Sequence, residues 1–234
     1  MNMDPLYSLI IPSYNEESRI GGALNSYVNY FEANYPEYEM IVVCDGCVDK
    51  TAEIVLKHSD DNPKIRCVAY EDRRGKGGAI TKGFNEAEGE VIGFIDADDA
   101  FELEYFKEVL NKFEEGFDCV IASKWKGKHF WGVKEPLVRK TASRVWNLIS
   151  RILFSLNFHD TQGGMKFLRK NIWDEIKGEC ETRGFEFDVE LLWRLKKHKF
   201  KVFEIYVPSK HREGSTFNLK NSLDMFIHIL KIRL

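Results

Sequence analysis

Five short apolar runs rich in β-branched residues recur through the first half of the chain, each closing on a polar or turn-forming residue, with helical periodicity between them. The runs are Tyr7–Pro12, Met40–Cys44, Ile65–Ala69, Val91–Asp96 and Cys119–Ser123, and the spacing predicts helices near 18–33, 50–58, 77–88 and 102–114. Strands that alternate with helices imply βαβ units and a mainly parallel sheet. The runs are apolar on both faces, as suits strands covered by helices from both sides. In such sheets ligands bind beyond the carboxyl ends of the strands.

Those ends are polar. The first runs into Pro12-Ser13-Tyr14-Asn15-Glu16-Glu17, the second into Asp45-Gly46-Cys47-Val48-Asp49-Lys50-Thr51, and the fourth into Asp96-Ala97-Asp98-Asp99. Three carboxylate-bearing ends converging on one crevice call for a cation or a hydrogen-bonding ligand.

The second half reads differently. Residues 124–136 are basic and aromatic, 139–158 reads as a long helix with large apolar side chains, and Asp160–Lys166 reads as a turn into a short strand. A helix over 185–198, a strand over Val202–Val207 and a closing helix over 218–234 complete the pattern. With 234 residues, no repeats and no clear linker, the chain reads as a single domain, 1–234. A net charge of −3 argues against a nucleic-acid binder. No run approaches the length of a membrane span, and the apolar run Leu6–Ile11 is too short for a signal peptide. The five cysteines are odd in number and several sit in strand-like runs, which suggests reduced thiols in a cytosolic setting.

Taken singly, each motif has two readings. Asp96 and Asp98 can address one hard divalent cation from a strand-to-loop bend, or they form a solvated acidic turn with Asp98 or Asp99 capping the following helix. Gly75-Lys76-Gly77-Gly78 fails both the phosphate-loop and the dinucleotide patterns. It is a glycine turn opening a helix, either an anion site at the helix start or a tight turn beside solvated cations. Cys44 and Cys47 form a C-x-x-C without the second pair that structural zinc requires, which leaves a redox dithiol or a structural turn.

In this order and spacing the chain resembles the family 2 glycosyltransferases, which have the GT-A fold. The resemblance is carried by Ile10–Glu16, Val43–Thr51, Gly75–Ala79 and Ile95–Asp98. A narrower similarity, to the dolichyl- or polyprenyl-phosphate sugar synthases and most of all to the dolichyl-phosphate glucosyltransferases, rests on Asp160–Phe167, Gly184–Leu192 and Arg212–Ser215. It implies an α/β domain with a Rossmann-like, mixed, mainly parallel sheet flanked by helices, and amphipathic helices toward the C-terminus. Residues 1–125 would bind the nucleotide sugar and 126–234 the acceptor. Pro12, Tyr14 and Glu16 would line the nucleotide pocket, Asp45 would accept the base imide, and Lys76 would sit beside the nucleotide. Asp96 would lie near sugar and ribose, and Asp98 would hold Mg²⁺ or Mn²⁺ on the diphosphate. Asp160 and Gln162 would face the donor sugar, and Arg139 and Arg212 would meet phosphate groups. One of Asp188 and Glu190 would approach the active site and the other would be solvated.

The sequence departs from that pattern at positions 44 and 47, usually acidic and hydroxyl-bearing, where both are Cys. The C-x-x-C therefore reads as a substitution inside a nucleotide-binding turn. Position 124, often Arg in the relatives, is Lys.

The implied reaction moves a hexose from a nucleotide sugar, UDP-glucose in preference to GDP-mannose, onto a polyprenyl or dolichyl phosphate, with inversion expected. A hydroxyl acceptor would need a general base, whereas a phosphate monoester is already an anion at neutral pH. Lys124, Lys126, Lys128, Lys134, Arg139, Lys140 and Arg144 supply positive charge, and the Q-x-x-R-W signature of hydroxyl-acceptor relatives is lacking. Residues 145–156 read either as an interfacial helix at the cytosolic face of a membrane or as a core helix, with one face available for each. The alternatives are a soluble transferase acting on glycan hydroxyls and an inactive nucleotide-sugar-binding module.

Overall fold

The computed structural model describes residues 6–97, 103–133 and 136–208. The seven strands among the described residues belong to one sheet: β1 Tyr7–Ser13, β2 Tyr38–Asp45, β3 Ile65–Tyr70, β4 Val91–Ile95, β5 Cys119–Ser123, β6 Met165–Arg169 and β7 Val202–Tyr206. Their spatial order is β3-β2-β1-β4-β6-β5-β7. The β3-β2-β1-β4 half is parallel, β6 runs antiparallel to both β4 and β5, and β7 is parallel to β5. The expected mixed, mainly parallel α/β sheet is present. Because β2, β1 and β4 are neighbours, the three acidic strand ends lie side by side.

The helices are α1 Ile20–Asn34, α2 Thr51–Asp61, α3 Lys76–Glu86, α4 Phe106–Glu114, α5 Leu137–Phe154, α6 Lys170–Ile176 and α7 Phe187–Lys197. The sequence reading has no counterpart to α6. It is a seven-residue helix that buries Ile172, Trp173 and Ile176, too short for periodicity to mark.

Strand alternation sorts the core into two layers. Leu9 and Ile11 of β1, Met40 and Val42 of β2, and Ile95 of β4 pack with α1 and α4 on one face. Ile10, Ile41, Val43, Ile92 and Phe94 point the other way, onto α3, α6 and α7. On the first face Phe106 meets Phe31 edge-on at 4.9 Å and Phe167 at 5.1 Å, the T-shaped geometry aromatic rings prefer.

α5 has an unusual polarity. Its inward face carries Lys140, Asn147 and Ser150, all buried, alongside Trp146 and Phe154. Its outward face carries Val138, Val145, Leu148 and Ile152, at 70%, 50%, 57% and 68% exposure. The two readings of this segment, core helix and surface helix, each describe one face.

Asp98, Asp99, Lys134, Arg212 and the closing helix expected over 218–234 lie outside the described residues. Arg139 falls on α5, but its side chain lies outside the description as well.

Candidate active site

The loops after β1 and β2 are knitted together by their own motif residues. Asp49 accepts the amides of Glu17 and Thr51 and the Thr51 hydroxyl, at 3.1, 2.9 and 2.6 Å. The Thr51 hydroxyl oxygen accepts the amide of Glu16 at 2.7 Å, and the Asn15 side-chain oxygen accepts the amide of Val48 at 3.0 Å. Asn15, Asp49 and Thr51 thus act as braces between two strand ends. The Cys47 thiol adds another, donating to the Ser13 carbonyl at 3.4 Å. All five cysteines are free thiols, and the C-x-x-C is part of the turn.

Of the predicted nucleotide-pocket residues, Pro12, Tyr14 and Glu16 are half-buried at the end of β1. The Arg73 guanidinium lies 3.7 Å over the Tyr14 ring, and Glu16 pairs with Arg19 at 2.6 Å. Asp45 is buried at the tip of β2. Its two oxygens accept the amides of Arg74 and Gly75 at 2.6 and 2.8 Å, which fixes the turn that leads into α3.

The anion-site reading of the α3 start is not met. The amides of Gly77 and Gly78 donate to the carbonyls of Gly184 and Arg183, at 3.1 and 3.0 Å. The donors a phosphate would use there are taken by the segment before α7. The glycines serve close packing instead. A Cβ at Gly77 would lie 2.5 Å from the Phe187 Cβ, and Gly75 has φ +86, a conformation side chains resist.

Lys76 is the first residue of α3, and its ammonium sits 3.0 Å from Asp96 and 3.6 Å from Asp188. Burial alone would lower the Lys76 pKa, but Asp188 and Asp96 outweigh it and hold the group above the ordinary lysine range. Asp96 follows β4 with its side chain 40% exposed, open to the crevice. Its amide donates to the Gly164 carbonyl at 3.1 Å, and its own carbonyl accepts the Tyr27 hydroxyl at 3.0 Å.

Asp160 and Gln162 lie in the turn before β6. Glu204 of β7 anchors that turn, accepting the amides of His159 and Asp160 at 2.9 and 2.8 Å and facing the His159 ring at 2.7 Å. Thr161 is held by the Asn147 side chain of α5. Burial pushes the Asp160 pKa up, against the pull of Lys124 and Lys166 and of the Gln162 amide.

The expectation that one acidic residue of α7 is solvated is not met. Asp188 reaches the site, and Glu190 is also fully buried. Glu190 accepts the amides of Glu181 and Thr182 and the Thr182 hydroxyl, and pairs with Arg194 at 3.2 Å. A buried carboxylate requires such partners.

Sequence reasoning missed Lys166 and Glu204 as structural charges. Each interrupts an otherwise apolar strand, in Met165-Lys166-Phe167-Leu168 and Val202-Phe203-Glu204-Ile205, and that interruption is the signal available. The basic segment is also less free than its composition implies. Lys140 is buried over Phe130, the Lys126 ammonium bonds the Glu204 carbonyl, and Lys128 lies over the Tyr206 ring.

Among the described residues no cluster of three or more His, Cys, Asp or Glu side chains could hold a metal. A hard cation takes carboxylate oxygens, and of the two predicted for it, Asp96 and Asp98, Asp96 lies within the described residues.

Comparison with known proteins places this geometry. The family described as Glycosyl transferase family 2 matches residues 8–177. The chain is similar to the glycosyltransferase AglD of Haloferax volcanii, 28% identical over 228 residues, which are 96% of this chain but 36% of that protein. It is similar to the dolichyl-phosphate beta-glucosyltransferase of Dictyostelium discoideum, 26% identical over 246 residues, 99% of this chain and 75% of that one. Among solved structures it resembles glucosyl-3-phosphoglycerate synthase from Mycobacterium tuberculosis in complex with Mn²⁺, uridine diphosphate and glucosyl-3-phosphoglycerate. The TM-score is 0.71 at 16% identity, covering 97% of this chain and 78% of that one, which establishes the shared GT-A fold.

Proposed function

This chain belongs to glycosyl transferase family 2, and we propose that it transfers glucose from UDP-glucose to a polyprenyl or dolichyl phosphate at the cytosolic face of a membrane. The observation that carries the proposal is the side-by-side placement of the acidic ends of β1, β2 and β4 in a chain whose basic helix α5 turns an apolar face outward.

The donor side follows from the strand ends. Asp45, its carboxylate held by two amide donors, is assigned to accept a hydrogen bond from the base imide through a remaining lone pair. Tyr14 offers a ring beside it, already covered by Arg73. Lys76 is a permanent cation next to Asp96, suited to a diphosphate. Asp98, with Asp96 beside it and diphosphate oxygens completing the set, would hold Mg²⁺ or Mn²⁺, and the ion would stabilise the negative charge that grows on the leaving diphosphate. The similar synthase binds Mn²⁺ and uridine diphosphate, which supports the metal and base.

The acceptor side follows from what the acidic residues are already doing. Asp188 is spent on two lysines, and Glu190 on amides and Arg194. Neither is available as a general base, and a phosphate acceptor needs none. Arg139 and Arg212 are assigned to phosphate groups, and Asp160 and Gln162 to the donor sugar. The name of the Dictyostelium relative points to the same acceptor.

The lipid calls for a protein that reaches a bilayer surface. Among the described residues no helix is long and apolar enough to cross a membrane. The outward face of α5, with Arg144 and Arg151 on it, suits a helix lying in the interface, and Trp131, 77% exposed in the segment before α5, suits the same surface. The test is incubation with labelled UDP-glucose or GDP-mannose, polyprenyl phosphate and Mg²⁺ or Mn²⁺, followed by organic extraction. Lipid-borne label from UDP-glucose supports the proposal. Label from GDP-mannose alone changes the donor, and label on oligosaccharide alone overturns the acceptor.

A further inference from the structure

We propose that Lys166 and Asp188 are positioning residues, a buried ion pair that holds the Lys76 ammonium against Asp96 and so presets the diphosphate end of the site. Lys166, the second residue of β6, has no exposed surface, and Asp188 is 1% exposed on α7. Their charged atoms are 2.5 Å apart. The remaining contacts run in one direction, toward the crevice. The second Asp188 oxygen lies 3.6 Å from the Lys76 ammonium, and that ammonium lies 3.0 Å from Asp96. Lys166 also donates to the Gly163 carbonyl at 2.9 Å, which ties the same pair to the turn that carries Asp160 and Gln162.

Phe94 of β4 completes the arrangement. Its ring lies 5.1 Å from the Lys76 ammonium and 5.3 Å from the Lys166 ammonium, so both cations pack on one buried aromatic side chain. Four charges alternate in sign along this path, and each inner one has its partner within reach.

A purely structural role does not account for the layout. Two charges buried this deeply could be replaced by neutral side chains of similar size at little cost to stability, because desolvation offsets much of their attraction. What neutral side chains could not do is fix a lysine at the edge of a crevice with its charge retained. A long, flexible ammonium side chain is ordered only by its partners, and Asp188 is the partner that solvent does not reach. The energetic purpose of the pair is therefore pre-organisation of Lys76 before the donor arrives.

The kinetic part of the test rests on the transferase reading; the spectroscopic part does not. Three variants are compared with the wild type: Lys166→Met, Asp188→Asn, and the two combined. Asp188→Asn leaves the buried Lys166 charge without its partner, Lys166→Met leaves Asp188 only its longer contact to Lys76, and each lowers the melting temperature; the double variant recovers most of that loss. The double variant does not recover donor turnover: kcat/KM for the nucleotide sugar stays about tenfold to a hundredfold below wild type, and Asp188→Glu, which restores the charge, regains part of it. In nitrogen NMR of lysine ammonium groups without donor, Lys76 gives a slowly exchanging signal in the wild type, which is lost in the Asp188→Asn and double variants. Recovery of turnover together with stability in the double variant overturns the proposal. So does an unchanged Lys76 signal in Asp188→Asn, the variant that decides the matter if the double variant fails to fold. A wild type that binds no nucleotide sugar counts against the transferase reading, while the Lys76 signal still decides the role of the pair.

Discussion

The amide of Asp96 donates to the carbonyl of Gly164 at 3.1 Å, and a methyl group on Gly164 would overlap the Asp96 carboxylate. The end of β4 and the turn before β6 approach this closely because position 164 has no side chain. Gly164→Ala should leave the sheet intact, since the atom in the way is the tip of a side chain that can swing aside. It should displace the Asp96 carboxylate from Lys76 and reduce donor turnover by about a hundredfold. Turnover assays beside thermal melts check this, and full activity in the variant would contradict the placement of Asp96 in the site.

Asp45 has a structural duty as well as a proposed binding one. Asp45→Ala removes the acceptor of the part-buried bonds from the amides of Arg74 and Gly75 and should cost about 1 kcal/mol of stability in urea unfolding. Asp45→Asn keeps one acceptor oxygen and should cost less, while still weakening nucleotide binding. Equal stability of wild type and Asp45→Ala would show that those two bonds contribute nothing.

Asp160 supplies a pH signature. Burial raises its folded-state pKa above the ordinary 3.8. An acid shifted upward by folding costs nothing at a pH below both values. It destabilises the fold increasingly as pH rises from about 3.8 through the folded-state value, because the unfolded chain gives up the proton first. Asp160→Asn should therefore be at least as stable as wild type at neutral pH, with the difference closing on acidification through that window, although transfer activity falls. Unfolding free energies measured across the acid range test the sign. A variant that is less stable at neutral pH than in acid, relative to wild type, would contradict it.

Leu148 and Ile152 stand on the outward face of α5 at 57% and 68% exposure. Replacing both with Glu should abolish co-sedimentation with anionic lipid vesicles and leave the melting temperature near wild type, since neither side chain packs in the core. Unaltered vesicle binding would remove α5 from the membrane contact.

Much of the fold is legible in the sequence because β1, β2, β4 and β5 are apolar runs buried from both faces that end in turn residues, while the edge strand β3, with Arg66 in it and a half-buried pattern, departs from the expectation of two covered faces. The crevice is legible for the same reason: Asp45 ends β2 and Asp96 follows β4, parallel strands on either side of β1, and a topological rule locates ligands there. The short helix α6 escapes because seven residues carry too little periodicity. Glu190 is misread because local spacing says only that it and Asp188 point in different directions. It cannot say that Thr182 and Arg194 wait in the second direction. The two readings of the α3 start stay undecided in the sequence for a related reason: its amides are a local fact, and the Arg183 and Gly184 carbonyls that accept from Gly78 and Gly77 come from more than a hundred residues away in the chain.

The central claim is that a nucleotide sugar held at the ends of β1, β2 and β4 gives its hexose to a lipid phosphate. Its most direct test offers the protein UDP-glucose and Mg²⁺ with an equimolar mixture of polyprenyl phosphate and an oligosaccharide, and reads product masses. The account predicts a single new species, polyprenyl phosphate heavier by one hexose, absent when Asp98 is replaced by Ala. A hexose added to the oligosaccharide with the lipid phosphate untouched would contradict it.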